Sequence, residues 1–108
     1  MNDSSLHKYH AEAINLLSQI IATPSLSREE GAAADLMKNF LSGKGVEVKR
    51  NGNNVWCINK YFDRQKPTIL LNSHLDTVPA SAAYTQDPHK AITVAGNLYG
   101  LGSTDAGG

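Results

Sequence analysis

The sequence predicts an α/β layer architecture, and three observations predict it. Two stretches near the start repeat apolar residues at helical spacing. At Val46 the period changes to two, as on a half-buried strand. Further on, Thr68-Ile69-Leu70-Leu71-Asn72 is a short continuous apolar run, the pattern of a central strand covered on both faces.

The first helix is expected over residues 5–22. Leu6, Tyr9, Ala13, Leu17, Ile20 and Ile21 recur at three- and four-residue steps, with Ile14 alongside. Asp3, Ser4 or Ser5 can cap it, and Thr23-Pro24 stops it, because a residue before proline resists the helical region. The second helix is expected over 28–43. Ser27 with Glu30 three residues later makes a capping-box pattern. Ala33, Leu36, Met37, Phe40 and Leu41 form its apolar stripe, and Gly43 and Gly45 end it.

Residues 46–60 read as a hairpin. Val46 and Val48 alternate with Glu47 and Lys49, Asn51-Gly52-Asn53-Asn54 is the turn, and Val55-Trp56-Cys57-Ile58 returns. Asp63 to Pro67 is a polar loop before the apolar run. From Ser73 to Lys90 there is no period, which marks a long loop. Ala91–Val94 and Asn97–Tyr99 flank Ala95-Gly96 as a second small hairpin, after which glycines take over. One central strand between helices is an incomplete layer set. Such a strand left with an unpaired edge invites pairing with another chain.

A chain of 108 residues has the length of one domain. The formal net charge is zero and no basic run exists, which argues against a nucleic-acid surface. Cys57 is the sole cysteine, so no internal disulfide can form, in keeping with a reducing compartment. The polar start, Met1-Asn2-Asp3-Ser4-Ser5, leads into no apolar stretch that could serve as a signal peptide or membrane span. The expectation is a cytoplasmic protein without membrane or nucleic-acid partners.

The chemistry concentrates in two segments. Ser73-His74-Leu75-Asp76-Thr77-Val78-Pro79 follows the expected central strand. Ligands of open α/β sheets bind beyond the carboxyl ends of strands. In an extended chain, residues two apart point the same way, so Asp76 can accept a hydrogen bond from a ring N–H of His74 and fix its tautomer. Asp105 lies inside Gly-Leu-Gly-Ser-Thr-Asp-Ala-Gly-Gly, where glycines let the backbone approach a site closely. A carboxylate can bridge two cations held about 3.5–4 Å apart.

Other candidates read more plainly. His7 and His10 are spaced i, i+3 but sit in the first turns of a surface helix. His89, beside Asp87-Pro88, reads as a loop residue, and Cys57 beside Trp56 as strand packing. Glu29-Glu30 fits a helix start, where negative charge suits the dipole. No serine stands at motif spacing from a base, which disfavours a Ser-His-Asp hydrolase.

Taken together, Ser-His-Leu-Asp-Thr-Val-Pro and the later Leu-Tyr-Gly-Leu-Gly-Ser-Thr-Asp-Ala-Gly-Gly resemble the M20 family of zinc metallohydrolases. Thr23-Pro24-Ser25 through Glu30 resembles that family's link between its first two helices, and Asn53-Asn54-Val55-Trp56 its early hairpin. The resemblance implies the N-terminal portion of a three-layer zinc-peptidase-like catalytic domain, over residues 1–108, with the rest of that domain and a dimerisation domain lying outside them. It implies two zinc ions, with cobalt as a substitute. His74 would be a terminal ligand, Asp105 the bridge between the ions and Asp76 the catalytic carboxylate beside the ligand. A cis peptide after Asp105 is implied as well. Leu101, where many members carry Arg, and Ala106-Gly107, in place of Met-Lys, depart from the family pattern and bear on substrate preference.

Within the family the likeness is to the acetylornithine deacetylases. The implied activity is hydrolysis of the amide bond of an N-acyl amino acid by a homodimeric full-length enzyme. A dipeptidase or desuccinylase is the alternative, and a non-catalytic truncated module the alternative of another class. The family's general-base Glu, its other carboxylate ligands and its last His come later in the chain than these residues. A catalytic zinc takes three protein ligands plus water. The 108 residues alone are therefore expected to be inactive.

Overall fold

The computed structural model describes residues 3–108; the first two residues of the polar start lie outside them. The element order is α1 (Asp3–Ile21), α2 (Gly31–Gly43), β1 (Val48–Asn51), β2 (Asn54–Cys57), β3 (Ile92–Val94) and β4 (Asn97–Tyr99). The strands form two separate antiparallel hairpins, β1–β2 and β3–β4. No helix among the described residues is long and apolar enough to cross a membrane. Two helices with small antiparallel sheets are compatible with a piece of an α/β domain.

α1 ends where proline requires. The Ala22 and Thr23 N–H groups still bond back to Ser18 and Ile20, and the Thr23 hydroxyl donates to the Gln19 carbonyl. Pro24 then ends the helical ladder, lacking an N–H to donate. Only the C-terminal part of the expected stripe is covered: Ile21 is buried, whereas Leu6 and Tyr9 are more than half exposed. Lys44, just past α2, pairs with Glu12 and joins the two helices.

α2 starts later than the capping-box pattern suggests. Its N-cap is Glu30, which makes no side-chain cap bond. The Glu30 carboxylate turns back, accepting the Arg28 N–H through Oε1 at 2.7 Å and the Asn53 side-chain amide through Oε2 at 3.0 Å. Arg28 has φ 71°, a left-handed conformation that the helix cannot include. The expected box thus gives way to a tie between the α2 entry and the β1–β2 turn.

In β1–β2, Val48 faces Cys57 and Asn51 faces Asn54, so Gly52-Asn53 is a two-residue loop. The positive φ falls on Gly52, the first loop position, as a II′ turn requires. Val48, Arg50, Val55 and Cys57 are half-buried and their neighbours exposed, which puts one face of the hairpin on α2. Cys57 is a free thiol on that packed face. Arg50 pairs with Asp35 of α2 and donates to the Gly52 carbonyl, fastening the sheet to the helix. In β3–β4 the loop residues Ala95 and Gly96 both have positive φ, the type I′ pattern.

The expected central strand is the main departure. Residues 68–72 form no strand, and Ile69, Leu70 and Leu71 are 85–90% exposed. A strand needs a hydrogen-bonded neighbour, and no described residue supplies one to this run. Ile21, Ala33 and Ala34 are the only fully buried apolar residues among those described.

What brings the C-terminal segment to this core is the absence of side chains on it. A methyl at Gly100 would overlap the Ile21 side chain, and one at Gly107 would stand 2.6 Å from Leu17 Cδ1. Leu17 and Ile21 are four residues apart on α1 and share a face.

Two predictions follow from these contacts. Gly100→Ala should lower unfolding free energy by about 1–3 kcal/mol through overpacking. Ile21→Ala in the same chain should recover part of that loss, measured as a non-additive double-mutant cycle in urea. The second concerns pH. The Glu30 pKa is lowered by the Arg28 backbone N–H, then by its own backbone N–H and by Asn53. A depressed carboxylate stabilises the fold above its unfolded value of about 4.3 and loses that contribution as pH falls through the lower folded value. Glu30→Ala should be less stable than the parent at pH 7, with the gap closing in acid, as read by thermal melts across pH.

Candidate metal centre

The site forms where the chain leaving α1, the His74 segment and the glycine-rich segment meet. Leu26 and Thr77 make an isolated parallel bridge, with the Thr77 N–H donating to the Ser25 carbonyl at 2.8 Å. Gly102 lies against Thr77, so close that a Cβ there would be 2.9 Å from Thr77 Cγ2. Between Gly100 and Gly108 the backbone coils on itself: Ser103 bonds to Gly100, Gly107 to Gly102 and Gly108 to Thr104. The Asp105–Ala106 peptide is cis. The Leu101 N–H donates to the Pro88 carbonyl at 2.7 Å and ties this coil to the long loop.

The result places all three sequence-predicted residues together. His74 Nε2 is 2.9 Å from Asp105 Oδ1. His74 Nδ1 is 3.1 Å from the Asp76 backbone carbonyl and 3.3 Å from its carboxylate Oδ1. Sequence spacing points to the Asp76 carboxylate as the ring's partner; the backbone oxygen of the same residue is the nearer one. The oxygens facing the two ring nitrogens are acceptors and favour the protonated ring. The His74 pKa is accordingly raised, first by the Asp76 carbonyl and then by the Asp105 carboxylate.

The three residues line one side of a cleft of about 640 Å³, with Leu26 and Val78 as apolar wall and Glu29 opposite in sequence origin. Glu29, Asp76 and Asp105 put three carboxylates in this cleft. That concentration of negative charge favours a cation. Glu29 reads in the sequence as a helix-start residue only; no local signal marks its approach to His74, because the fold and not the spacing brings them together. The same holds for Ser25, whose buried hydroxyl donates to the Leu75 carbonyl at 2.8 Å. His7, His10 and His89 do not enter the cleft.

The donor set fits a zinc ion in part. An imidazole whose Nδ1–H is held by an oxygen presents Nε2 to a metal, the usual arrangement of ligating histidines. The His74–Asp105 separation of 2.9 Å is a hydrogen-bond distance, and the two atoms would have to part to roughly 3.3–3.6 Å to share a tetrahedral ion with bonds of about 2.0–2.2 Å. These are two donors, however. Among the described residues no group of three or more His, Cys, Asp or Glu side chains gathers as a metal cage.

No protein-family model matches the chain. Among characterised proteins it is similar to the succinyl-diaminopimelate desuccinylase of Cereibacter sphaeroides strain ATCC 17029, 35% identical over 104 residues, covering 87% of this chain and 26% of that protein. It is similar to the N-acetyl-L-citrulline deacetylase of Xanthomonas campestris pv. campestris, 35% identical over 85 residues, covering 79% of this chain and 23% of that protein. A succinyl-diaminopimelate desuccinylase of Wolinella succinogenes is 28% identical over 93 residues, covering 85% and 25%. The chain thus spans about a quarter of the length of these relatives.

The ring geometry sets a measurable expectation. In zinc-free protein the His74 imidazole should titrate above the ordinary histidine value of about 6.5. Asp105→Asn, which removes the charged partner, should bring it down. A raised histidine pKa stabilises the fold below the unfolded value and loses that contribution as pH rises through the folded one. Ring-carbon chemical shifts of His74 followed by NMR across pH 5 to 9, roughly centred on that value, check the direction.

Proposed function

We propose that the chain forms part of the catalytic domain of a zinc-dependent M20-type amidohydrolase that removes the acyl group from an N-acyl amino acid. The observation that carries this reading is the His74–Asp105 contact with Asp76 behind the ring, two motifs 31 residues apart meeting at one point. The relatives support it by name, since each is called a desuccinylase or a deacetylase.

In this reading His74 Nε2 and the Asp105 carboxylate would hold the metal, with the remaining ligands and the general base supplied by parts of the whole protein beyond these residues. The metal, when bound, supplies Lewis acidity towards the acyl carbonyl and lowers the pKa of a water. Asp76 accepts the Nδ1–H and keeps the ring from rotating, so that the other nitrogen stays aimed at the cleft. Leu26 and Val78 give the cleft an apolar wall. Asp105 faces the same nitrogen with an anionic oxygen and balances the cationic charge. The exposed run at 69–71 would be covered by the rest of the parent sheet, and the whole enzyme would act as a homodimer in the cytoplasm.

Two substrate readings stand beside each other. Succinylated diamino acids are favoured by the desuccinylase names at 35% identity over 87% of the chain. Acetylated amino acids, acetylornithine among them, are favoured by the deacetylase relative and by the motif likeness. Assay of the full-length protein against N-succinyl-diaminopimelate, N-acetylornithine, N-acetylcitrulline and dipeptides decides between them. Cleavage of none, or turnover that survives complete removal of metal, would overturn the proposal. Asp76→Ala removes the carboxylate at 3.3 Å but keeps the nearer backbone carbonyl at 3.1 Å, so it should weaken zinc binding about tenfold, the lower end of the effect of disturbing a ligating histidine's partner, as measured by competition with a chelator.

A further inference from the structure

We propose that Ser25 is a positioning residue that sets the register of the His74–Asp76 segment; the role rests on the reading of His74 as a metal ligand. Ser25 is 2% exposed and is the only fully buried polar residue among those described. It holds the segment by two bonds. Its hydroxyl donates to the Leu75 carbonyl at 2.8 Å, and its own carbonyl accepts the Thr77 N–H at 2.8 Å.

The register follows from the alternation of an extended chain. Residues 75 and 77 turn their backbone groups to Ser25, so residues 74 and 76 fall to the opposite phase, and both reach the cleft. Thr77 and Val78 line the cleft as well, but a slip of one residue would take the Leu75 and Thr77 backbone groups off Ser25 and shift His74 from its place beside Asp105. One of the two bonds is backbone to backbone and would form with any residue at position 25. The hydroxyl supplies the second, and it grips the residue lying between the two functional side chains. Without it the part-buried Leu75 carbonyl loses the partner that Ser25 gives it, and an acceptor left short of a partner favours local rearrangement. Pro24 adds stiffness on the other side, since its ring fixes φ just before Ser25.

The test compares Ser25→Ala with Ser25→Thr in the full chain. Zinc alone is titrated against a competing chelator, and the ring nitrogens of His74 are observed by 15N NMR in zinc-free protein. Ser25→Ala should fold, because the Thr77–Ser25 bond needs no side chain. It should bind zinc at least about tenfold more weakly, the lower end of the effect of disturbing a ligand's support, and show His74 ring signals changed from the parent's. Ser25→Thr, which keeps a hydroxyl, should stay close to the parent in both. Ala33→Gly, at a buried helix position remote from the cleft, should lower stability and leave both readouts alone. Should Ser25→Ala fail to fold, Ser25→Cys, nearly isosteric with a weak donor, carries the same comparison. If the alanine variant only melts earlier, with zinc affinity and ring signals as in the parent, the positioning role is overturned. If the parent itself takes up no zinc, the metal reading fails instead, and the ring signals alone still decide: unchanged signals overturn the role of Ser25 and changed signals support it.

Discussion

The structure depends on one close approach, that of the backbone at Gly100 and Gly107 to Ile21 and Leu17 of α1. These partners are about eighty to ninety residues apart in sequence. Side chains of any size on the C-terminal segment would hold it off the helix, and Asp105 would then not reach His74. Glycine costs conformational entropy on folding. Here that cost is set against the burial of Ile21, the largest of the buried apolar side chains among the described residues, and the approach brings a carboxylate to a ring nitrogen.

Two kinds of fastening divide the molecule. On one side α2 and the β1–β2 hairpin are joined by polar ties, Arg50 to Asp35 and Glu30 to Asn53. The first is an ion pair near the surface, a kind that contributes little to stability and is screened by salt; the second is a hydrogen bond between a carboxylate and a side-chain amide. On the other side the site is held by tight packing of glycines on α1 and by the two bonds of a buried serine. Packing contacts and buried hydrogen bonds keep their geometry more strictly than exposed pairs. The stricter fastening lies where a ligand set must be held to a fraction of an ångström.

Much of this was legible in the sequence, and the parts that were not share one cause. The helices show in their period, the hairpins in Gly52 and in Ala95-Gly96, and the site residues in the spacing of His74 and Asp76 and the glycines around Asp105. All of these are local signals. The start of α2 misleads because Ser27 and Glu30 have the right spacing for a box, while the Glu30 carboxylate finds better partners in Arg28 and the distant Asn53. The apolar run at 69–71 has the composition of a strand, but composition cannot supply the neighbour that makes a strand. Ser25 and Glu29 acquire meaning only through residues about fifty positions away, and no window of sequence contains both partners.

The contact between His74 and Asp105 bears on how such a site can exist before it is filled. Three carboxylates in one cleft repel one another, and an unpaired imidazole would leave that repulsion uncompensated. The His74 ring sits between oxygens of Asp76 and Asp105, which favour its positively charged form and raise its pKa. In the proposed reading, a cation held by His74 Nε2 would take the place of a proton there, so its uptake would release that proton. Asp76 lies on the other ring nitrogen, Nδ1, through its carbonyl and its carboxylate, and would hold the orientation of the imidazole through that exchange. The contacts that orient the ring without a metal are thus the ones that the proposed ligand role would use.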